Sequence, residues 1–377
     1  MPKNIPFVDL KLQHQPLKSE LENSIQAVLE RGDFILGQAV EKFESSFATA
    51  SGVENGIGVS SGTNAIALGL QACGIGPGDE VILPANTFIA TLIGVLHAGA
   101  TPVLVDCHAE TALIDLEVAQ KAVTSKTKAI LPVHLYGQMV APSELKDFAQ
   151  ANNLIIFEDA AQAHLAQREG YYGGSVGTAA AFSFYPSKNL GCFGNGGMVI
   201  TNNAEVANKM RTLRNYGAPR KYVHEEVGTN SRLDTIQAAV LNVKLPYLEG
   251  WNSDRNQAAQ KYDTLLSPMK EKGIIPIENL SGTGHIYHLY VIRVTDKSPI
   301  ERDTLKEKLG AAGVSVGIHY PIPCHLQPAY QNLGYKQGDF PNSEILSQQI
   351  LSLPMYPVIN EEQINHVVET MFQIIGK

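Results

Sequence analysis

The sequence predicts an α/β protein with a large, mostly parallel sheet flanked by helices and a smaller C-terminal α+β domain. From about residue 56 to residue 201, short apolar runs alternate with amphipathic segments at the spacing that strands and helices have in a parallel sheet. The apolar runs are continuous rather than alternating, as expected for strands that are buried on both faces. With 377 residues, 44% of them apolar, the chain can bury a core large enough for two domains.

The individual elements follow from these patterns in chain order. The apolar runs predict strands at residues 57–59, 81–83, 103–105, 129–133 and 154–157, and helices are expected between them at 64–72, 88–98, 116–123 and 143–151. Two more strands, 179–184 and 197–201, flank a glycine-rich turn, and a helix over 233–248 is expected to continue to about residue 266. The C-terminal part should hold strands at 286–294 and 314–320 and helices at 302–312 and 361–375. We therefore expect an N-terminal arm and a large domain over residues 1–250, and a small domain over residues 251–377.

Charge and cysteine content restrict the class of protein. A net charge of −8 and a pI near 5.8 disfavour general nucleic-acid binding. The cysteines form no C-x-x-C pair and are too sparse for a disulfide framework, so they are interpreted as thiols of a reducing compartment. The N-terminus lacks the apolar core of a signal peptide, and the most apolar stretch, 88–105, is interrupted by polar residues, glycine and proline. These features predict a cytoplasmic enzyme that neither crosses a membrane nor binds nucleic acid.

Two adjacent carboxylates mark the end of the fifth predicted strand. Glu158 and Asp159 follow the apolar run 155–157 and precede two alanines. Ligands bind at the carboxyl ends of strands in open α/β sheets, so a ligand site is expected here. Taken alone, the two carboxylates could instead cap the start of a following helix.

Lys188 follows the next predicted strand, in a stretch of small and aromatic residues that runs from Ser183 to Gly191. A lysine in such surroundings is partly desolvated, which lowers its pKa and favours the neutral, nucleophilic amine. The alternative is a solvated surface lysine. The carboxylate of Asp159 and the glycine-rich run 194–197 favour the reactive amine.

A small polar turn that includes Gly62 and Thr63 leads from the first strand into a helix. Free backbone N–H groups and the helix dipole at this point suit a phosphate, although an ordinary capped helix would have the same pattern. A lysine, a carboxylate and a phosphate cradle are together what pyridoxal 5'-phosphate requires. The lysine forms a Schiff base, and the carboxylate keeps the pyridine nitrogen protonated so that the ring can act as an electron sink.

The chain resembles the DegT/StrS-type sugar-nucleotide aminotransferases, which belong to the fold-type-I superfamily of pyridoxal-phosphate enzymes. The resemblance covers nearly the whole sequence and rests on a set of motifs at residues 32–37, 60–63, 158–164, 183–188 and 230–234. It implies a fold-type-I aminotransferase whose large domain binds the cofactor, which passes through its pyridoxamine 5'-phosphate form.

The resemblance also implies roles for individual residues. Lys188 is expected to form the Schiff base and move the proton, Asp159 to pair with the pyridine nitrogen, and Gln162 to hydrogen-bond the phenolic oxygen. The remaining implied contacts are with the ring face and the phosphate: Phe88, Gly62, Thr63, Ser183 and, from a neighbouring subunit, Asn230. The last of these implies a homodimer with shared active sites.

Two loops are candidates for the substrate. His319 and Tyr320 lie in the segment 317–327 and could hydrogen-bond sugar hydroxyls, unless this is only a packed, proline-stiffened loop. Lys221 could meet a diphosphate, or simply lie in an exposed basic loop. Both segments are similar to those of enzymes acting on dTDP-linked 3-oxo-6-deoxyhexoses, and Phe34 and Tyr185 are the other implied substrate contacts. A metal site at His319 and His325 is not expected, because no carboxylate lies near them in the sequence.

The expected reaction is a ping-pong transamination in which glutamate supplies the amino group and the C-3 ketone of a dTDP-linked deoxysugar accepts it. The alternatives are amination at C-4, and a UDP-sugar or cyclitol ketone as substrate. A conventional amino-acid aminotransferase is less expected, since no arginine for the α-carboxylate is identifiable in the small domain. A non-catalytic regulatory protein that keeps the fold is a more distant alternative. A nicotinamide dehydrogenase is disfavoured by the lack of a G-x-G-x-x-G turn.

Overall fold

The computed structural model describes residues 4–376. Within this range, the strands are β1 (Asn55–Val59), β2 (Glu80–Pro84), β3 (Thr101–Val105), β4 (Thr127–Ile130), β5 (Ile155–Asp159), β6 (Gln167–Arg168), β7 (Tyr171–Tyr172), β8 (Ala179–Ser183), β9 (Gly197–Thr201), β10 (Ile274–Pro276), β11 (Tyr290–Val294) and β12 (Ile350–Leu353). The α-helices are α1 (Leu10–His14), α2 (Lys18–Arg31), α3 (Gln38–Ala50), α4 (Gly62–Ala72), α5 (Ile89–His97), α6 (Leu116–Ala122), α7 (Pro142–Asn152), α8 (Ala204–Leu213), α9 (Thr235–Lys244), α10 (Leu248–Leu266), α11 (Arg302–Ala311), α12 (Pro341–Gln349) and α13 (Glu361–Ile375).

Seven strands form the large sheet, in the order β1-β9-β8-β5-β4-β2-β3. The pairs from β8 through β5, β4 and β2 to β3 are parallel, whereas β9 runs antiparallel to both of its neighbours, β8 and β1. Helices α3 to α8 pack against these strands. The expected α/β architecture with a mostly parallel sheet is therefore confirmed.

Helix α4 approaches the sheet closely because it carries a glycine at the contact. A Cβ atom on Gly69 would lie 2.4 Å from Cζ of Phe157 on β5, so no larger residue fits there without a shift. This close packing holds the first turn of α4 beside the carboxyl end of β8, where a Cβ on Gly62 would lie 2.7 Å from the Cβ of Ser183.

The smaller sheet has the antiparallel order β10-β11-β12. Helices α10, α11 and α13 pack on one another or on this sheet, and their apolar side chains form a hydrophobic cluster separate from that of the large sheet. The division of the chain at residue 250 stays a prediction; that position lies inside α10.

Some predicted elements have different boundaries, and one is wrong. Residues 314–320 do not form a strand, because only isolated bridges, Ile5 to Val314 and Gly317 to Ser352, tie them to the rest of the fold. The third strand of the small sheet is instead β12. The predicted strand 286–294 begins only at Tyr290, and the long helix 233–266 is divided into α9 and α10 by a short 3-10 turn that contains Pro246, which has no N–H for the helical ladder.

Among residues 4–376, no helix combines the length and the apolar character that crossing a membrane requires.

Candidate active site

A cavity of about 400 Å³ lies at the carboxyl ends of β5 and β8, and the 319–320 loop forms another part of its wall. Most of the residues that the sequence singled out line this cavity: Gly62, Thr63, Phe88, Asp159, Gln162, Ser183, Tyr185, Lys188, His319 and Tyr320. Lys188 and Asp159, which are far apart in the sequence, therefore meet in one pocket.

Asp159 is the last residue of β5, and its carboxylate is buried. One carboxylate oxygen accepts a hydrogen bond from the Thr91 hydroxyl at 2.7 Å, and the other accepts one from the backbone N–H of Ala161 at 3.1 Å. Burial raises the pKa of Asp159, and these two hydrogen bonds and the positive charge of Lys188 act in the opposite direction. A buried carboxylate of this kind gains most from a cationic partner inside the pocket.

Glu158 faces away from the cavity and has a different set of partners. Its fully buried carboxylate accepts hydrogen bonds from the backbone N–H groups of Gly174, Val176 and Gly177 at 2.8–2.9 Å. Nε2 of His134 lies 2.7 Å from the same group. No helix follows β5 directly, so helix capping is the wrong interpretation for both Glu158 and Asp159. Glu158 instead holds the loop that leads into β8.

Lys188 lies in the turn that follows β8, and its side chain is half-buried. Burial lowers the pKa of its amine to about 8, while the negative charge of Asp159 raises it. Within residues 4–376, no hydrogen bond or ion pair engages the Lys188 amine. An amine with these properties is neutral in an appreciable fraction of molecules near neutral pH, and is free to react as a nucleophile.

The first turn of α4 forms a cradle for an anion. Ser61 caps this helix, since its side chain accepts a hydrogen bond from the N–H of Asn64 at 3.2 Å. The N–H groups of Gly62 and Thr63 have no acceptor within the helix, as is general for a first turn. Ser183 lies against Gly62, so a backbone N–H surface and a hydroxyl meet at one end of the cavity.

Another part of the cavity wall consists of aromatic and amide groups. The Gln162 side chain accepts a hydrogen bond from the N–H of Tyr136 at 2.7 Å and donates one to the Tyr320 hydroxyl at 3.1 Å. The ring of Phe88, just before α5, lies 5.2 Å from the ring of Tyr320. The rings of Phe88 and Tyr320 thus face the same space from two different parts of the chain.

The imidazole of His319 has both a hydrogen-bonding partner and a stacking partner. Its Nδ1 lies 2.9 Å from the hydroxyl of Ser352, and its ring stacks on that of Phe7 with a centroid distance of 5.4 Å. Burial lowers its pKa to about 4, so the imidazole is neutral at physiological pH. His325 is directed elsewhere: its Nε2 lies 3.0 Å from Glu344, a carboxylate that sequence proximity did not reveal.

Three of the expected residues do not line this cavity. Asn230 borders a second cavity of about 610 Å³, which shares Ser61 and Asn195 with the first. Phe34 has an exposed side chain, and Lys221 lies in an exposed loop with its amine 5.1 Å from the ring of Tyr222. Their expected roles would need a second subunit and stay predictions.

The cavity also has lining residues to which sequence reasoning assigned no role, among them Phe7, Val8, Thr91 and His288. Thr91 could have been found, because it stands four residues after Thr87 on the same face of the α5 region, and the two hydroxyls lie 2.8 Å apart. No local signal marks His288, which reaches the cavity from the small-domain side of the fold.

These residues fit pyridoxal phosphate. The lack of a side chain at Gly62 leaves the anion cradle open, and the amine of Lys188 is uncommitted within the described chain. The buried carboxylate of Asp159 offers the negative charge that a protonated pyridine ring needs. Fold and site together define the class of protein: a fold-type-I enzyme that depends on pyridoxal phosphate.

The chain belongs to the DegT/DnrJ/EryC1/StrS aminotransferase family, whose model matches residues 15–372. A Streptomyces venezuelae protein named dTDP-3-amino-3,4,6-trideoxy-alpha-D-glucose transaminase is 42% identical over 97% of this chain and 95% of its own. A Geobacillus stearothermophilus protein named pleiotropic regulatory protein is 44% identical over 97% of each chain. An Acidithiobacillus ferrooxidans protein named UDP-N-acetyl-3-dehydro-alpha-D-glucosamine 3-aminotransferase is 42% identical over 96% of each chain.

Solved structures agree with this assignment. The crystal structure of S. venezuelae DesV in complex with a ketimine intermediate matches with a TM-score of 0.95 and 42% identity, over 99% of both chains. The structure of NtdA from Bacillus subtilis with bound cofactor PMP matches with a TM-score of 0.87 and 34% identity, over 95% of this chain and 82% of that one. The expectations of a fold-type-I aminotransferase and of pyridoxal phosphate as its cofactor are confirmed.

Proposed function

We propose that the protein transfers an amino group from glutamate to the C-3 ketone of a dTDP-linked 3-oxo-6-deoxyhexose. The observation that carries the proposal is a single cavity with Lys188 and Asp159 in one part and His319 and Tyr320 in another. The likeness to the S. venezuelae transaminase supports a dTDP-linked amino sugar as product. When bound, pyridoxal phosphate supplies the electron sink for the proton shift between the two carbon–nitrogen bonds.

The residues of the chain supply binding and proton transfer. Lys188 takes up and returns the proton, for which an amine with a pKa of about 8 is suited near neutral pH. Asp159 holds the proton on the pyridine nitrogen. Gln162 is fixed by Tyr136 and Tyr320, so its amide is oriented before any ligand enters. Gly62, with Thr63 and Ser183, takes the phosphate group of the cofactor.

The lining of the cavity favours a neutral, partly deoxygenated sugar. Within residues 4–376, the only lysine or arginine that lines it is Lys188, so a sugar carboxylate would find no second cation there. Phe7, Val8 and Leu289 add an apolar wall that suits a methyl or methylene carbon. The neutral His319 imidazole and the Tyr320 hydroxyl serve as hydrogen-bonding partners of the remaining sugar hydroxyls.

The proposal includes a homodimer. Phe34 and Ile35 are about half exposed, at 46% and 51%, and Ile35 borders the second cavity together with Asn230. The loop over residues 216–230 carries two strongly exposed apolar side chains, Tyr222 and Val227. A partner subunit that covers these groups would bring its Asn230 towards the phosphate and its Lys221 towards the diphosphate of the substrate. The four free cysteines accord with a cytoplasmic location.

Replacement of Lys188 by alanine tests the proposal. The wild-type protein should be yellow, should be bleached by borohydride, and should form a 3-amino sugar nucleotide from the oxo-sugar and glutamate. Lys188→Ala should lower turnover at least about a thousandfold, whereas Lys121→Ala, at an exposed lysine of α6, should leave it unchanged. Turnover by the Lys188→Ala variant at a rate near that of the wild type would contradict the mechanism.

A UDP-linked substrate is the second candidate, since a relative of equal identity is named for one. Turnover of matched dTDP- and UDP-linked 3-oxo sugars decides between them, and NMR of the product places the new nitrogen at C-3 or C-4. A protein that binds the cofactor but turns over none of these sugars would instead point to a cyclitol ketone as substrate, and failure on that ketone too would point to a regulatory role.

A further inference from the structure

Lys244, the last residue of α9, is a fully buried lysine without a carboxylate beside it. Its amine donates a hydrogen bond to the backbone oxygen of Gly191 and lies 3.0 Å from Nε2 of His14. The rings of Phe193 and Trp251 lie 5.8 and 5.9 Å from it. No ion pair engages it within the part of the chain that the structure describes. A buried amine held only by neutral groups costs stability, and an apolar side chain would fill the same space without that cost.

The carbonyl that Lys244 holds belongs to the turn that carries Lys188. Within this turn, the N–H of Lys188 donates to the carbonyl of Tyr185 at 2.9 Å. A Cβ on Gly191 would lie 2.3 Å from the carbonyl oxygen of Pro186, so the turn closes tightly on itself. Movement of the Gly191 carbonyl would therefore be transmitted to the backbone of Lys188.

The other side of the turn is held by Asn189. Its side-chain amide donates to the Asn252 side chain at 2.8 Å and to the carbonyl of Ile286 at 3.0 Å. Its oxygen lies 3.1 Å from Nδ1 of His288. Lys188 thus lies directly before Asn189, which is anchored by its side chain, and three positions before Gly191, which is anchored by Lys244.

The second contact of Lys244 leads to the N-terminal arm. His14 ends α1, and the segment just before α1 contributes Phe7 and Val8 to the cavity wall. Burial and the nearby ammonium group lower the pKa of His14 to about 4, so at neutral pH its imidazole is uncharged and its Nε2 can accept a hydrogen bond. The amine of Lys244 thus contacts both the arm, at His14, and the Lys188 turn, at Gly191.

We propose that Lys244 is a positioning residue: by holding the Gly191 carbonyl and His14, it fixes the Lys188 amine and the Phe7–Val8 wall relative to each other. The inference rests on the proposed role of Lys188. Lys244 touches neither substrate nor cofactor, and it acts through the turn and the arm.

The test compares Lys244→Met, which keeps the length but removes the donors, with Lys244→Arg, which keeps a cation and several donors. The main measurement is the rate at which Lys188 is acetylated in cofactor-free protein, read by mass spectrometry against exposed Lys121 in the same sample. We expect Lys244→Met to change the ratio of Lys188 to Lys121 acetylation by about tenfold, because small displacements of a reactive group have large effects on rate. For the same reason, Lys188 should capture pyridoxal phosphate about tenfold more slowly. Lys244→Arg should restore both to near the wild-type values.

Leu305→Ala, in the separate cluster of the small domain, is the control for lost stability. It should lower the melting temperature while leaving the acetylation ratio unchanged. If Lys244→Met fails to fold, Lys244→Leu, which also lacks a donor, gives the same comparison. A wild-type ratio in a folded variant without the ammonium group, or an equal change in Leu305→Ala, would overturn the inference.

The proposed function is tested separately in the same experiment. If borohydride and peptide mapping show no cofactor on Lys188 of the wild-type protein, the role of Lys188 fails, whatever the Lys244 variants do. If the cofactor is found on Lys188 and the variants match the wild type, only the positioning role of Lys244 fails.

Discussion

Replacing Glu158 by glutamine should destabilise the fold, whereas replacing its neighbour Asp159 by asparagine should not. Glu158 is an acceptor for four donors, three from the backbone and one from His134. Glutamine has the same shape, but one of its two terminal atoms is a donor rather than an acceptor. The substitution therefore turns a satisfied site into one in which donors face each other.

The size of the effect follows from the partners. With its NH2 group in one orientation, the new amide faces the N–H of Gly174 and Nε2–H of His134; in the other it faces the N–H groups of Val176 and Gly177. A change of tautomer at His134 would not restore the lost hydrogen bond without cost, because its Nδ1 already accepts a hydrogen bond from the N–H of Val140. Each buried donor left without an acceptor costs about 1–3 kcal/mol, so two of them lower the free energy of unfolding by about 2–6 kcal/mol.

Urea unfolding of the cofactor-free protein, followed by the fluorescence of the single tryptophan, Trp251, measures this loss. Asp159→Asn is the matched control. The Thr91 hydroxyl can donate or accept, so the hydrogen bonds of that site survive the change, and the cost of a buried charge is removed. Equal free energies of unfolding for wild type and Glu158→Gln would refute the assignment of Glu158 to the loop before β8.

Three other outcomes concern the site itself. In cofactor-free protein, the rate of Lys188 acetylation across a pH series should have a midpoint near pH 8, the value to which burial lowers the pKa of Lys188. Asp159→Asn should move this midpoint to lower pH, because the Asp159 carboxylate raises the pKa of Lys188. An unchanged midpoint would mean that the two groups do not interact. Since burial raises the pKa of Asp159, the folded state holds its carboxyl proton more tightly than the unfolded state does. The contribution of Asp159 to stability should therefore fall as pH rises through about 4 and level off above the folded pKa. Urea titrations of Asp159→Asn across the same pH range should lack this fall in stability. Gly62→Ala should weaken cofactor binding by at least about tenfold in equilibrium dialysis, because its Cβ would lie 2.7 Å from Ser183, while Gly76→Ala, whose Cβ has its nearest neighbour at 3.8 Å, should bind as wild type does.

The convergence of Lys188 and Asp159 was predictable from local patterns. The apolar runs marked β5 and β8, and the polar residues came after them. Strands that run parallel in one sheet end at the same edge, and the pairing of Asp159 with Ala181 on β8 brings the two strand ends together. The phosphate cradle was predictable for the same reason, because it depends on a strand, a small polar turn and a helix start that are contiguous in the chain.

The strand expected at 314–320 shows where local patterns mislead. Val314, Val316 and Ile318 alternate with small or polar residues, which is the pattern of a half-buried strand. In the fold, this segment finds only single bridges to Ile5 and Ser352, and it turns towards the cavity with His319 and Tyr320. A strand needs a partner along its length, and the availability of a partner is not encoded within the segment.

The sequence by itself determined the alternation of strands and helices in the large sheet, the family, and the meeting of Lys188 and Asp159 near the strand ends, because each depends on neighbouring residues in the chain. Only the tertiary structure decided that Phe7 stacks on His319, that Gln162 is held by Tyr136 and Tyr320, and that Lys244 reaches the turn of Lys188. These contacts join segments far apart in the chain. They form when the large and small sheets bury their separate apolar clusters and the arm is enclosed between them, and no periodicity within a single segment records that packing.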